Sequence, residues 1–211
     1  MSHRPERCLN ISGGFWLLTA WFGVVNGWEL LGTILAAAAL HELGHYLILR
    51  AWGAKVTALR LSVFGAVMET DSENLSYGRE LAAVLAGPAA NFFCALVLAA
   101  TGKMDYALPT GVHLALGAFN LLPVRPLDGG RALGLMLAWL LGPAAGERAA
   151  GIVSGGGAVA LALCLAAVMR GSGGSLWLLP ALCGLLAIAA GEWGLHLPNF
   201  AIHSSFGKSF Q

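Results

Sequence analysis

The chain has 211 residues, 57% of them apolar or aromatic and only 11% charged, against roughly 45–50% and 25% in an ordinary soluble domain. That composition excludes a disordered chain and argues against a soluble one. Lys plus Arg number 12 and Asp plus Glu 11, a net charge of +1, so no basic field exists to hold a nucleic acid backbone and nucleic acid is not an expected partner.

Long apolar runs recur along the chain, whose mean hydropathy is +0.73. The expected architecture is a single membrane domain over residues 1–211, all-α and polytopic, with about six transmembrane helices. The first run, 11–28, follows Arg4 and Arg7 as a signal peptide's apolar centre would, but no A-x-A-like cleavage site comes after it. Asn26, Gly27 and Glu29 instead make a brief polar break before the second run, 30–49, which predicts a retained helical hairpin.

Between Arg50 and Arg79, Leu59, Leu61 and Val63 alternate with Arg60, Ser62 and Phe64. Gly65 interrupts, and Val67, Glu69 and Asp71 follow. A short membrane-associated β-hairpin is expected here, lying on the bilayer surface or offering an edge to an extended peptide, and the two roles are compatible.

The third run is 81–101, the fourth 107–122, the fifth 149–169 and the sixth 175–190. At about 1.5 Å per residue, all but the fourth and sixth comfortably match a hydrocarbon core of roughly 30 Å. The fourth stops at Pro123, and the prolines and glycines from Pro123 to Gly130 cannot continue a helix. Irregular backbone at membrane depth is tolerated where it is buried in protein or lines a wet cavity, so a broken segment continuing to 141 and facing a site is expected. Gly155-Gly156-Gly157 permits close helix contact, and Gly171 to Gly174 reads as a loop. Cys8, Cys94, Cys164 and Cys183 have no metal-like or CxxC spacing and read as free thiols.

Basic residues orient the chain. Arg4, Arg7, the Arg50 to Arg79 loop, Arg125, Arg131, Arg148 and Lys208 fall on one side of a six-span topology, with Lys103 and Arg170 on the other. Both termini are expected in the cytoplasm.

The most informative string is His41-Glu42-Leu43-Gly44-His45. On a helix, His41 and His45 lie roughly 40° apart in azimuth and about 6 Å apart along the axis, so both imidazoles can meet one ion. Glu42 sits roughly 60° from His45, beside that face. This is the geometry of two zinc ligands and a general base acting on water. Three ionisable groups inside a transmembrane run are costly without partners, which weighs against a chance match. Catalytic zinc commonly takes three protein ligands. Asp128 in the broken segment is the best remaining carboxylate, its other reading being a turn residue in Leu-Asp-Gly-Gly.

Other groups read more plainly. His113 is expected to be a hydrogen-bonded interior histidine, and Glu192 to snorkel to water at the membrane edge. Arg125 and Arg131 flank Asp128 and pair with it or with lipid phosphate. His196 and His203 read as solvated tail residues.

The strings His41-Glu42-Leu43-Gly44-His45, Gly87-Pro88-Ala89-Ala90-Asn91 and Asn120-Leu121-Leu122-Pro123-Val124-Arg125-Pro126-Leu127-Asp128-Gly129-Gly130-Arg131 together resemble the site-2 protease family of intramembrane zinc metalloproteases. Within it, the chain looks most like the stage IV sporulation processing protease of the FB type. The resemblance implies that His41, His45 and Asp128 bind Zn²⁺ and that Glu42 activates water. It also implies that Asn91 lies near the site, orienting substrate or stabilising the oxyanion, while Asn120 holds a motif position of undefined role. Pro88 is expected to kink the third helix near Asn91.

The expected function is therefore hydrolysis of a peptide bond in or near the transmembrane region of a membrane-associated regulatory protein. The resemblance suggests a sporulation sigma factor precursor or an anti-sigma factor as substrate, with membrane proteins that inhibit or gate access. The expected setting is the lipid bilayer of a bacterial cell membrane, with the site toward the cytoplasm and no CBS or PDZ domain. Non-haem iron uses a similar donor set. A rival class is a non-hydrolytic metal transporter or an inactive scaffold, in which Glu42 would be dispensable.

Overall fold

A computed structural model describes residues 9–62, 65–71, 75–171 and 178–194. These fall into two compact units, residues 1–120 and 121–211. The first contains β1 (Leu9–Ile11), α1 (Gly13–Asn26), α2 (Trp28–Ala51), β2 (Lys55–Ser62), β3 (Gly65–Asp71), α3 (Tyr77–Ala100), a 3₁₀ turn (Met104–Tyr106) and α4 (Ala107–Asn120). The second contains α5 (Asp128–Leu141), α6 (Pro143–Gly171) and α7 (Leu179–Glu192).

Helix α1 starts where the Ser12 hydroxyl accepts the Phe15 N–H at 3.2 Å, satisfying one of the donors a helix start leaves over. It stops at Gly27, whose φ of 94° belongs to the region that a side chain disfavours. The same glycine precedes α2, so the polar break is one residue wide. The first run thus holds a helix of 14 residues, about 21 Å long, short of a hydrocarbon core of roughly 30 Å. Helix α4 also has 14 residues.

Of the six spans expected, three have helices long and apolar enough to cross a membrane among the described residues: Trp28–Ala51, Tyr77–Ala100 and Pro143–Gly171. The sixth run begins at 175, outside the described residues, and α7 is a shorter apolar helix. Trp16, Leu17, Trp21, Leu47, Phe93 and Leu96 are all exposed. Such surface is costly in water at about 25 cal/mol per Å² and suits contact with lipid.

The two strands between α2 and α3 join β1, which precedes α1, in a sheet of order β1-β2-β3. Strands β2 and β3 are antiparallel, with Lys55 opposite Asp71 and Ser62 opposite Gly65, and an irregularity between Val56 and Ala58. The sequence reading did not anticipate β1, which runs parallel to β2 with Leu9, Asn10 and Ile11 opposite Leu59, Arg60 and Leu61. Three residues show too little alternation to be read as a strand; they become one by pairing with a distant partner. Val63 and Phe64 of the expected alternation lie outside the described residues.

Helices α2, α3 and α4 pack on one another. Small residues set the α2–α3 approach: a Cβ on Gly44 would stand 2.6 Å from Ala86 O and 3.0 Å from Ala90 Cβ. Backbones this close replace side-chain interdigitation with direct van der Waals contact. Ala83, Val84, Gly87, Pro88, Asn91 and Ala95 of α3 are buried.

In the second unit, α6 packs against both α5 and α7. Val124, Ala158 and Ala189 form its buried cluster, with Leu127 and Ile188 against it. Two of the three consecutive glycines on α6 make the expected close contacts. A Cβ on Gly157 would stand 2.7 Å from Val124 Cγ2 and one on Gly155 would meet the Trp193 ring, while Gly156 faces open space. Cys94, Cys164 and Cys183 are free thiols, as expected; Cys8 lies outside the described residues.

Candidate functional site

The string His41 to His45 lies within α2, and the helical spacing does what its arithmetic requires. The two rings stand edge to face with centroids 4.8 Å apart, and their Nε2 atoms are 3.1 Å apart. His41 is buried and His45 half-buried. Glu42, one residue along and half-buried, lies on the adjoining part of the helix surface.

Each ring is held from behind by α3. His45 Nδ1 is 2.8 Å from Ala83 O. A carbonyl only accepts, so this nitrogen carries the proton, and in the neutral ring the lone pair belongs to Nε2. Pro88, within α3, has no N–H to close onto Val84 one turn back, and its ring crowds that carbonyl. His41 Nδ1 is 3.1 Å from Asn91 Nδ2, and Asn91 Oδ1 is 3.0 Å from His113 Nδ1 on α4. Asn91 is fully enclosed, and His41 and His113 are each 5% exposed.

Gly87 completes this cluster within the first unit. A Cβ there would stand 2.7 Å from His41 Nε2 and collide with His45 Nε2. The residue that leaves both nitrogens room is therefore a glycine for a steric reason, one turn before Asn91 on the same helix.

In the second unit, Asp128 is the first residue of α5 and is buried. A carboxylate at a helix N-terminus is favoured by the helix dipole. The segment 121–127 folds back over this first turn. A Cβ on Gly129 would collide with Leu121 O, and one on Gly130 would stand 2.6 Å from Arg125 N. Leu127 N–H donates to Val124 O at 2.9 Å and Arg131 N–H to Leu127 O at 3.1 Å.

Arg125 anchors this segment to α6 and α7. Its backbone N–H donates to Ser154 Oγ at 2.9 Å, and its guanidinium forks onto Glu147 at 2.6 and 2.9 Å. Glu192 Oε2 lies 3.6 Å from the same guanidinium, and Glu192 Oε1 accepts from Ser154 Oγ at 3.1 Å. From the sequence, Arg125 and Arg131 are expected to pair with Asp128 or with lipid phosphate, and Glu192 to snorkel to water. In the structure Arg125 pairs with Glu147 and Glu192, and the Glu192 side chain is only 14% exposed. A partner on another helix leaves no signal in local sequence, and that is why both pairings were missed.

The profile for Peptidase family M50 matches residues 30–107. A Synechocystis relative, sll0528, is 33% identical over 133 residues, which cover 58% of this chain and 33% of the relative. Zinc metalloprotease MJ0392 of Methanocaldococcus jannaschii is 32% identical over 121 residues, covering 52% and 35%. Stage IV sporulation protein FB of Bacillus subtilis is 30% identical over 129 residues, covering 57% and 44%. The first two matches thus span about a third of the relatives' own length. Among solved structures, the site-2 protease from Methanocaldococcus jannaschii superposes with a TM-score of 0.63 over 90% of this chain and 91% of that one, at 23% identity. That likeness speaks for the fold.

Proposed function

Since the chain is related to peptidase family M50, the site-2 proteases, we propose that it is an intramembrane zinc metalloendopeptidase. His41, His45 and Asp128 supply the metal ligands, and Glu42 is the general base. The observation that carries this reading is the 3.1 Å separation of the two Nε2 atoms. Two nitrogens each about 2.0–2.1 Å from one zinc ion at a tetrahedral angle stand about 3.3 Å apart. The clearance at Gly87 and the carbonyl behind His45 support the same fit. A buried aspartate completes a donor set of two imidazoles and one carboxylate.

Zinc bound there supplies a Lewis acid that polarises a carbonyl and makes water more acidic. Glu42 takes a proton from the attacking water as its oxygen bonds to the scissile carbonyl carbon, and returns it to the leaving nitrogen as the carbon–nitrogen bond breaks. A peptide still in a helix is a poor substrate, because its carbonyls are paired and sheathed by side chains. The substrate is held extended, and the outer edge of β3, Gly65–Asp71, offers backbone groups for strand addition.

The substrate class is a membrane-anchored regulatory protein, such as a sigma factor precursor or an anti-sigma factor, with membrane partners gating access. The likeness to the sporulation protein supports this. The distribution of Lys and Arg supports a site on the cytoplasmic side of a bacterial membrane.

The test is cleavage of a co-expressed membrane-tethered substrate by the wild type and by Glu42→Gln, with zinc measured on both purified proteins. Cleavage by the wild type alone, with zinc retained in both, is expected. Equal cleavage by both removes Glu42 from the mechanism. Zinc in both with cleavage by neither, across several tethered substrates, favours a transporter or scaffold.

A further inference from the structure

Asn91 sits between two histidines that no sequence motif links. Its amide meets His41 Nδ1 at 3.1 Å and His113 Nδ1 at 3.0 Å, on a side chain with no exposed surface. Water is therefore absent as a competing partner, and the proton positions along the chain are set by the groups themselves.

The contacts form one continuous path from Ala83 O to His45, His41, Asn91 and His113. Its first link has a fixed direction, because Ala83 O must accept from His45 Nδ1–H. Two arrangements of neutral rings are consistent with the remaining contacts named here. In one, His41 Nε2–H donates to His45 Nε2 across 3.1 Å. His41 Nδ1 then accepts from Asn91 Nδ2–H, and Asn91 Oδ1 accepts from His113 Nδ1–H.

In the other, both Nε2 lone pairs point at a common ligand. His41 must then carry its proton on Nδ1, which donates, and the group facing it must be the amide oxygen. The amide turns over, occupying the same volume. Its nitrogen now faces His113 Nδ1, which has to be a lone pair, so His113 holds its proton on Nε2.

We infer that Asn91 and His113 are positioning residues for the ligand nitrogen of His41, and that the tautomer of His113 switches from Nδ1–H to Nε2–H when a divalent metal binds. The inference rests on the metal reading above. No net proton is gained or lost at His113; one ring proton is exchanged for another. A hydrogen-bonded partner behind a ligating histidine typically changes metal affinity 10–100-fold when removed. Here the partner is an amide, which accepts or donates according to what lies behind it, and His113 is what lies behind it.

The test uses the full chain in detergent with ¹⁵N-labelled histidine, titrated with zinc chloride. The two nitrogens of a neutral imidazole have well-separated ¹⁵N shifts according to which carries the proton, and His113→Gln identifies the His113 signals by their loss. The expected result is an exchange of the His113 pattern from Nδ1–H to Nε2–H, complete at one zinc per chain. Zinc binding with an unchanged His113 pattern overturns the inference.

Zinc affinity of two variants gives an independent reading. Asn91→Asp keeps an acceptor toward His41 and is expected to hold zinc within about tenfold of wild type, with His113 fixed as Nδ1–H throughout the titration. Asn91→Leu fills the volume without an acceptor and is expected to bind about 10–100-fold more weakly. If Leu binds as well as Asp, Asn91 only fills space and the inference fails. If the wild type takes up no zinc at all, the metal reading itself is wrong, a result distinct from zinc uptake without the exchange.

Discussion

A Cβ on Gly87 would stand 2.7 Å from His41 Nε2, closer than unbonded carbon and nitrogen atoms approach. The backbone of α3 at that point forms a wall of the candidate metal site, and a methyl group there would occupy the space in front of the ligand pair. Gly87→Ala is expected to weaken zinc binding at least about tenfold, measured by competition with a chromophoric chelator. Gly78→Ala, near the start of the same helix with open space around it, serves as the control and should bind as the wild type does.

Asp128 is buried at the start of α5, and its proposed role is the third metal ligand. Asp128→Ala should lose most of the bound zinc in the purified protein, whereas Asp105→Ala, in the exposed 3₁₀ turn, should keep it. Equal zinc in both proteins would return Asp128 to a structural role at the helix start.

A metal held by the native fold and not by the unfolded chain stabilises it. Free zinc at 100 times its dissociation constant contributes about 2.7 kcal/mol. Removal by a chelator should therefore lower the thermal midpoint in detergent, and the drop should vanish in the His41→Ala, His45→Ala double variant. A chelator effect that persists in that variant would place the stabilising metal elsewhere.

Ser154 is almost fully buried and joins three elements: it accepts from Arg125 N–H and donates to Glu192. Ser154→Ala leaves a part-buried N–H without its acceptor, a loss of about 1–3 kcal/mol. Glu147→Gln should cost less, because that side chain is 66% exposed and water screens the pair. Thermal unfolding of the two variants in the same detergent checks the order, and a larger loss for Glu147→Gln would contradict it.

The α2–α3 contact is equally specific. Gly44→Val would drive a branched side chain into Ala86 O, which a Cβ already approaches to 2.6 Å. Overpacking of this kind costs about 1–3 kcal/mol or more. Because α3 also carries Ala83, Gly87 and Asn91, zinc affinity should fall together with the thermal midpoint, in contrast to Ser154→Ala, where stability is the expected first loss.

Local pattern determined what a single helix or turn can encode. His41 and His45 share a face because four residues make just over one turn, and α4 cannot run on through Pro123 to Pro126 because proline lacks a donor, although Asp128, Gly129 and Gly130, expected in the break, already open α5. The apolar runs mark the long helices α2, α3 and α6, since each needs only its own composition to be recognised. Tertiary structure decided everything that depends on a partner distant in the chain. Asn91 meets His41 and His113 only because α3 packs against both α2 and α4. Glu192 turns inward because Ser154 and Arg125 offer it bonds that compete with water. Leu9–Ile11 becomes a strand by pairing with Leu59 to Leu61, and Gly87 is required by rings on another helix. A sequence carries each of these residues without their neighbours, and hydrogen bonds and close contacts are properties of the pair.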